Sequence, residues 1–287
     1  MINCLKVSII TATYNSEKFL AGCIASVRRQ TYGNIEHIIV DGKSTDSTLR
    51  IIQKNEAHIS KWISETDRGM YDAINKGIEM ATGDIIGVLN SDDILADPNT
   101  IMDIVACFDE TGTDSVYGDL VYVDPEKPSK VLRLWKGLSY KRSRFNFGWM
   151  PAHPTFYIRR NLIEQFGNYE NHYFTAADYE FMARYLYAHK ISSHYLPQMI
   201  VKMRNGGASN VTLYSRLRAN RRDYLAMKKN GIPFPFLVSI LKPLSKIPQF
   251  KSALGHKVSR PDKVHKLFNT TVLFVSSDAK VETDADR

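Results

Sequence analysis

Three short β-branched runs in the first hundred residues each end in polar residues, with amphipathic stretches between them. The runs are "KVSIITA" (6–12), "IEHIIVD" (35–41) and "GDIIGVLN" (83–90). Between the first two lies "EKFLAGCIASVRRQ" (17–30), where Phe19, Leu20, Cys23, Ile24 and Val27 follow helical spacing. Asn15 and Ser16 are natural N-caps for it. "STDSTLRIIQKN" (44–55) and "MYDAINKGIEMA" (70–81) read as the next two helices. Such alternation predicts a largely parallel α/β sheet with helices on both faces. Right-handed crossovers then bring the strand C-termini to one edge, where open sheets bind ligands.

That edge would gather four loops: "TATYN" (11–15), "DGKSTDST" (41–48), "ETDRGMYDAINKG" (65–77) and "NSDD" (90–93). Asp41, Asp67, Asp92 and Asp93 then share a cleft. Neighbouring carboxylates hold each other's protons unless a cation or donors compensate them. Oxygen ligands beside a diphosphate suit Mg²⁺ or Mn²⁺, completed by water and phosphate oxygens. Asp92 is the expected ligand. A solvated turn with Asp92 or Asp93 as a helix cap is the plainer alternative. "DGKST" is no phosphate-binding P-loop, because His37 stands where that motif needs its first glycine. No dinucleotide fingerprint follows the first strand either.

Beyond Asp93 the rhythm changes. "SVYGDLVYVD" (115–124) reads as a strand, "NLIEQFG" (161–167) as a short helix, and "TAADYEFMARYLYAHK" (175–190) as a longer helix capped by Thr175. "SSHYLPQMIVKMR" (192–204) is extended, and "RNGGASN" (204–210) could be a lid with glycine hinges. The aromatic-basic stretch 134–149 either shapes an acceptor site or is a packed loop.

The chain has 287 residues and a formal charge of +8. That charge is uneven. Residues 202–266 hold 15 Lys or Arg against Asp223 and Asp262, leaving the remainder net acidic. Nucleic acid, an anionic bilayer or acidic substrates could meet such a segment, and so could plain solvent. No nucleic-acid motif accompanies the charge. Cys4, Cys23 and Cys107 form neither a zinc framework nor an even disulfide set, which favours a reducing, cytoplasmic compartment. The N-terminus reads as a first strand rather than a signal peptide, and no window is long and apolar enough to span a membrane.

"VSIITATYN", "IIVDGKSTDST", "DRGMYDAINKG", "GDIIGVLNSDD" and "HPTFYIRR…AADYEFMARY" occur in this order across about residues 5–210. As a set they resemble the family 2 glycosyltransferases. The resemblance implies a GT-A fold, Rossmann-like, with a mixed but mainly parallel central sheet flanked by helices. It implies an inverting enzyme using a nucleotide-diphosphate sugar. Residues 1–212 would form the catalytic domain, 1–100 holding the donor and 101–212 the acceptor, with 213–287 as a helical extension. Thr11, Thr13, Tyr14 and Asn15 would line the nucleoside pocket and Asp41 would face the base. Asp67 and Arg68 would close over the nucleotide, Arg68 near the diphosphate. "NSDD" stands where the family shows a DxD-like run. Asp92 would bind the metal with Asp93 assisting, while Asn90 and Ser91 stay on the donor side. "AADYE" matches the catalytic-base position, assigned to Asp178, with Glu180 as its rival and helix capping as the alternative role. His153, Glu180 and Arg204 are candidate sugar or acceptor contacts, and His153 is equally suited to a structural role.

The implied acceptor is a lipid-linked or growing saccharide at the cytoplasmic membrane face. The basic C-terminus motivates this, because Phe236, Leu237, Ile240, Leu241, Leu244 and Ile247 share a helical face with Lys242 and Lys246 elsewhere. Packing of that helix on the domain or on a partner subunit is the alternative. Two other classes stay open: a sugar-nucleotide nucleotidyltransferase, which usually carries a basic glycine-rich N-terminal loop lacking here, and a non-catalytic nucleotide-sugar-binding protein.

Overall fold

The computed structural model describes residues 4–205 and 213–244, with side chains described for 4–205 and 219–242. The "NGGASN" turn, Ile247 and the polar tail lie mostly or wholly outside the described residues. The core is one mixed sheet whose strands run in the order β3-β2-β1-β4-β8-β6-β9-β5, with β7 paired to β6.

The first half follows the alternation. β1 (Val7–Thr13) pairs in parallel with β2 (Ile35–Asp41), aligning Thr13 with Asp41, and β2 pairs in parallel with β3 (Lys61–Ser64). β4 (Ile85–Val88) lies parallel on the other side of β1. Helices α1 (Leu20–Arg28), α2 (Thr48–Lys54) and α3 (Met70–Met80) connect them. Ile10, Ile38, Val40, Ile74 and Ile86 are buried together on one face of this sheet, Ile9, Cys23, Ile85 and Leu89 on the other. Each large aliphatic side chain so buried contributes about 2 kcal/mol.

Two capping expectations are corrected. α1 starts after Phe19 without a side-chain cap, because the Asn15 carboxamide is committed to the Thr45 backbone N–H across the cleft. The 175–190 helix begins at Ala177 rather than Thr175. A tight turn over Asn171–Ala176 precedes α6 (Ala177–Met182), which continues into a wider turn over Ala183–Ala188.

After Asp93 come a two-residue β5 (Ile94–Leu95) and α4 (Thr100–Thr111). α4 buries Ile101, Ile104, Val105 and Phe108, one face at helical spacing. β6 (Ser115–Val123) and β7 (Val131–Trp135) form an antiparallel pair. β8 (Tyr157–Arg159) runs antiparallel to both β4 and β6, and so joins the two halves of the sheet. Gly87 faces Tyr157 in that register, and a Cβ on it would sit 2.2 Å from the Tyr157 ring. α5 (Arg160–Phe166) ends at Gly167, whose φ of 90° suits glycine. β9 (Ser193–Arg204) closes this half, parallel to β6.

α7 (Leu213–Lys229) and α8 (Pro235–Leu244) follow. Val238 and Lys242 of α8 are buried, Lys242 pairing with Asp223 at 2.7 Å and lying over the Tyr179 ring. Lys242 therefore belongs to the packed face rather than to solvent, as its spacing had suggested. Phe234, Phe236, Leu237 and Ile240 stay exposed. Among the described residues no helix is long and apolar enough to cross a membrane. All three cysteines are free.

Candidate active site

The strand-end loops are tied to one another by short polar bridges. Ser16 and Ser91 share a hydroxyl hydrogen bond of 2.8 Å, linking the loops after β1 and β4. Asn15 accepts from the Thr45 backbone N–H and its own N–H donates to the Ser44 hydroxyl, linking the loops after β1 and β2. A Cβ on Gly42 would sit 2.4 Å from Asp67 Oδ2 and 3.4 Å from the Tyr14 ring. Three of the four predicted loops therefore meet at Gly42, and only glycine leaves room there.

Asp41 is wholly buried and its oxygens are already used. It accepts from the Ser44 N–H at 3.0 Å, the Ser44 hydroxyl at 2.5 Å and the Ser64 hydroxyl at 2.6 Å. Asp41, expected to face the base, is thus also braced by Ser44 and Ser64. Thr11 is also turned away from the cleft, its hydroxyl 3.1 Å from His37 Nε2 inside the buried layer. Thr13 is buried with an unpartnered hydroxyl, and Tyr14 projects its ring into solvent. Asp67 accepts from the Gly69 N–H. Arg68 is held by Asp72 at 2.8 Å through Nη2 and lies largely exposed, with Nη1 outside that pair.

The pair at the end of β4 is the electrostatic centre. Burial raises both Asp92 and Asp93 above the usual carboxylate range, and the Asp92 charge pushes Asp93 further. Asp93 is fully buried; Oδ2 accepts from Asn90 at 2.8 Å while Oδ1 is buried without a partner. Arg204 donates to the Asp92 backbone carbonyl, rests 4.7 Å above the Phe19 ring and lowers both acids by its charge. The sequence offered Arg204 as a sugar or acceptor contact; its place beside the acidic pair comes from the fold. No set of three or more His, Cys, Asp or Glu residues that could hold a metal occurs among the described residues. Asp92 and Asp93 would offer the carboxylate oxygens of two side chains, which fits a hard divalent cation that keeps water and phosphate oxygens in its shell.

Asp178 sits half-buried in the first turn of α6, where the helix dipole favours its charge, and its carboxylate accepts from the Tyr179 N–H at 2.7 Å. The Tyr71 hydroxyl is raised well above its usual range, chiefly by burial, with the Asp178 charge adding to the rise. His153 is buried, and its Nε2 lies 2.8 Å from the Tyr169 hydroxyl. Burial lowers its pKa, with the Asp178 charge opposing. Tyr71 stacks on Tyr169 at 5.5 Å. His153 therefore belongs to the aromatic wall behind Asp178. Tyr122 is raised chiefly by burial, with Asp93 and Asp178 both adding to the rise, so it lies within electrostatic reach of both acids. Neither Tyr71 nor Tyr122 was singled out in the sequence as a site residue: Tyr71 lies in the stretch read as the helix 70–81, and Tyr122 in the one read as the strand 115–124.

Glu180 is corrected outright. It is fully buried and paired with Arg184 and Lys229, each at 3.1 Å, and so meets neither sugar nor acceptor. Two turns of charge hold α6 against α7 there.

Residues 8–176 match the family described as Glycosyl transferase family 2. A PGL/p-HBAD biosynthesis glycosyltransferase of Mycobacterium tuberculosis is 32% identical over 208 residues, which is 71% of this chain and 78% of that protein. Among solved structures, S. aureus TarS 1-349 in complex with UDP superposes with a TM-score of 0.60 at 22% identity, over 78% of this chain and 65% of that one. The mannosyltransferase PcManGT from Pyrobaculum calidifontis, solved with GDP-Man and Mn²⁺, gives 0.59 at 16% identity, over 87% and 74%. These likenesses agree with the mixed sheet flanked by helices: the chain has the GT-A fold and belongs to glycosyl transferase family 2.

Proposed function

We propose that this glycosyltransferase moves a sugar, with inversion, from a nucleotide-diphosphate donor to a hydroxyl of a lipid-linked or saccharide acceptor. One observation carries the reading: a buried acidic pair stands at the rim of β4, Arg204 is anchored on the Asp92 backbone carbonyl, and the charges of Asp93 and Asp178 both act on Tyr122. The tied loops of residues 1–100 hold the nucleotide, residues 101–212 carry the acceptor side, and 213–287 is an extension. Tyr14 and Gly42 offer a ring and open backbone to the nucleoside. Asp67 and Asn90 stand beside them, with Ser91 fixing the rim. A divalent cation, Mn²⁺ or Mg²⁺, held by Asp92 with Asp93 behind it, would neutralise charge on the departing diphosphate.

Asp178 takes the proton from the acceptor hydroxyl as that oxygen attacks the anomeric carbon. The bond from that carbon to the phosphate oxygen breaks, and the nucleoside diphosphate leaves with the electron pair. Arg204 supplies fixed positive charge at the side where negative charge grows. Binding of UDP or GDP sugars by the structural neighbours supports the donor class. Exposed Phe236, Leu237 and Ile240, together with the basic charge of the segment, support peripheral contact with an anionic membrane on its cytoplasmic side.

The test is a thermal-shift panel of UDP-, GDP-, dTDP- and CMP-sugars with Mn²⁺, followed by a transfer assay with the sugar that binds. Binding of one class with release of its nucleoside diphosphate is expected. Failure of every nucleotide sugar to shift the melting temperature would refute the donor assignment.

A further inference from the structure

Where α7 passes the 171–176 turn, it leaves a hollow of about 460 Å³ lined by His172, Tyr173, Arg222, Leu225, Lys228 and Lys229. The four α7 residues return to one side of the helix, while Ala226, Met227 and Asn230 bury the other. Lys229 is shared between Glu170 and Glu180. Among the described residues no carboxylate pairs with Arg222 or Lys228. Two unmatched cations therefore flank a hollow with an aromatic and an aliphatic wall.

The turn itself is unusual. Phe174 has φ 48° and ψ −119°, outside the regions open to a bulky L-residue, yet its ring is 55% exposed. Strain of this kind costs about 1–3 kcal/mol and persists only where surroundings impose it. No burial of the ring offsets it here. Instead the Arg222 guanidinium lies 4.2 Å from the ring centroid, and Asp178 follows four residues later. The strained backbone displays an aromatic face beside the hollow and just ahead of the proposed base.

We propose that this hollow is an acceptor subsite for a phosphate group, with Phe174 offering its ring to the adjoining part of the acceptor. Arg222 and Lys228 stand six residues apart, about 9 Å along a helix axis. They suit a tetrahedral group with charged oxygens on several sides better than a planar carboxylate, and Arg adds a fork of donors. Tyr173 and Leu225 face the carbon skeleton that carries the phosphate. The assignment to the acceptor rests on the reading of Asp178 given above; the phosphate seat itself does not. The phosphate can belong to a lipid headgroup or to a soluble saccharide.

Hydrogen exchange on the full chain distinguishes these. The probes are glycerol phosphate and phosphatidylglycerol vesicles, with glycerol and phosphatidylcholine vesicles, whose phosphate is masked by choline, as controls at equal ionic strength. Exchange in peptides covering 171–176 and 222–229 is expected to slow by about fivefold with a phosphate probe and not with the controls. The R222Q/K228Q double variant should lose the effect while keeping its melting temperature. Slowing by glycerol phosphate identifies a soluble source, slowing by vesicles alone a lipid one. No slowing by either probe, or slowing retained in the double variant, overturns the proposal. Nucleotide binding measured on the same samples reports separately on the donor cleft. If it is absent while the exchange effect stands, the donor reading falls and the phosphate seat survives.

Discussion

Arg204, the last residue of β9, donates to the backbone carbonyl of Asp92, the residue that follows Ser91 at the rim of β4. A cation from a distant strand is thereby anchored beside two carboxylates, and its charge opposes, without reversing, the rise that burial imposes on both.

Arg204→Ala is expected to lower kcat/KM by about 100-fold, because it removes preorganised positive charge at the leaving group. Arg204→Lys should restore part of the loss, since charge returns without the fork of donors. Steady-state kinetics on the three proteins checks the order.

Asp178→Asn keeps the shape and hydrogen-bonding reach of the side chain but cannot take a proton. A fall in kcat of about 10²–10⁴-fold is expected, with donor affinity unchanged. Calorimetry with the nucleoside diphosphate alongside turnover decides; normal turnover would remove Asp178 from the base role.

Asp92→Asn should abolish any stimulation by Mn²⁺, and chelation should reduce the wild type to the same level. Both acids of the pair have raised pKa values, so a cation must displace protons from them at mildly acidic pH. Mn²⁺ affinity should therefore rise with pH above the ordinary carboxylate range, in titrations from mildly acid to neutral buffer. A flat profile would contradict metal binding at this pair.

Glu36 supports the opposite edge of the sheet. Burial alone would raise its pKa, but donation from the Thr82 backbone, Ser8, Lys61 and the Thr82 hydroxyl reverses this and holds it at about 2, below an ordinary 4.5. A depressed acid stabilises the fold above its unfolded pKa and loses that contribution as pH falls through the folded one. Glu36→Gln should thus cost about 3 kcal/mol at neutral pH. The difference from wild type should shrink between about pH 4.5 and pH 2 in denaturant titrations.

The first hundred residues were readable because their signals are local. Ile35–Asp41 is a strand bounded as its β-branched run suggests, since both its faces are buried. β8 was not readable: three residues carry no period, and its place between β4 and β6 depends on partners far along the chain. α4 went unread, although Ile101, Ile104, Val105 and Phe108 recur at helical spacing, because no strand-helix alternation announced it. At the site, residue types were legible and their partners were not. Asp41 stood out as an acid at a strand end, but Ser64, which occupies it, comes 23 residues later. Glu180 looked like a rival base because nothing nearby in sequence reveals that Lys229 neutralises it.

The contact of Gly87 with Tyr157 makes the sheet's midline intolerant of bulk. An alanine there would meet an unyielding phenol ring and wedge the two strands apart, and the displacement would pass along β4 to the rim two turns of the pleat away. The position of the acidic pair at the rim is thus governed from the interior, by a hydrogen atom standing where every other amino acid would place a carbon.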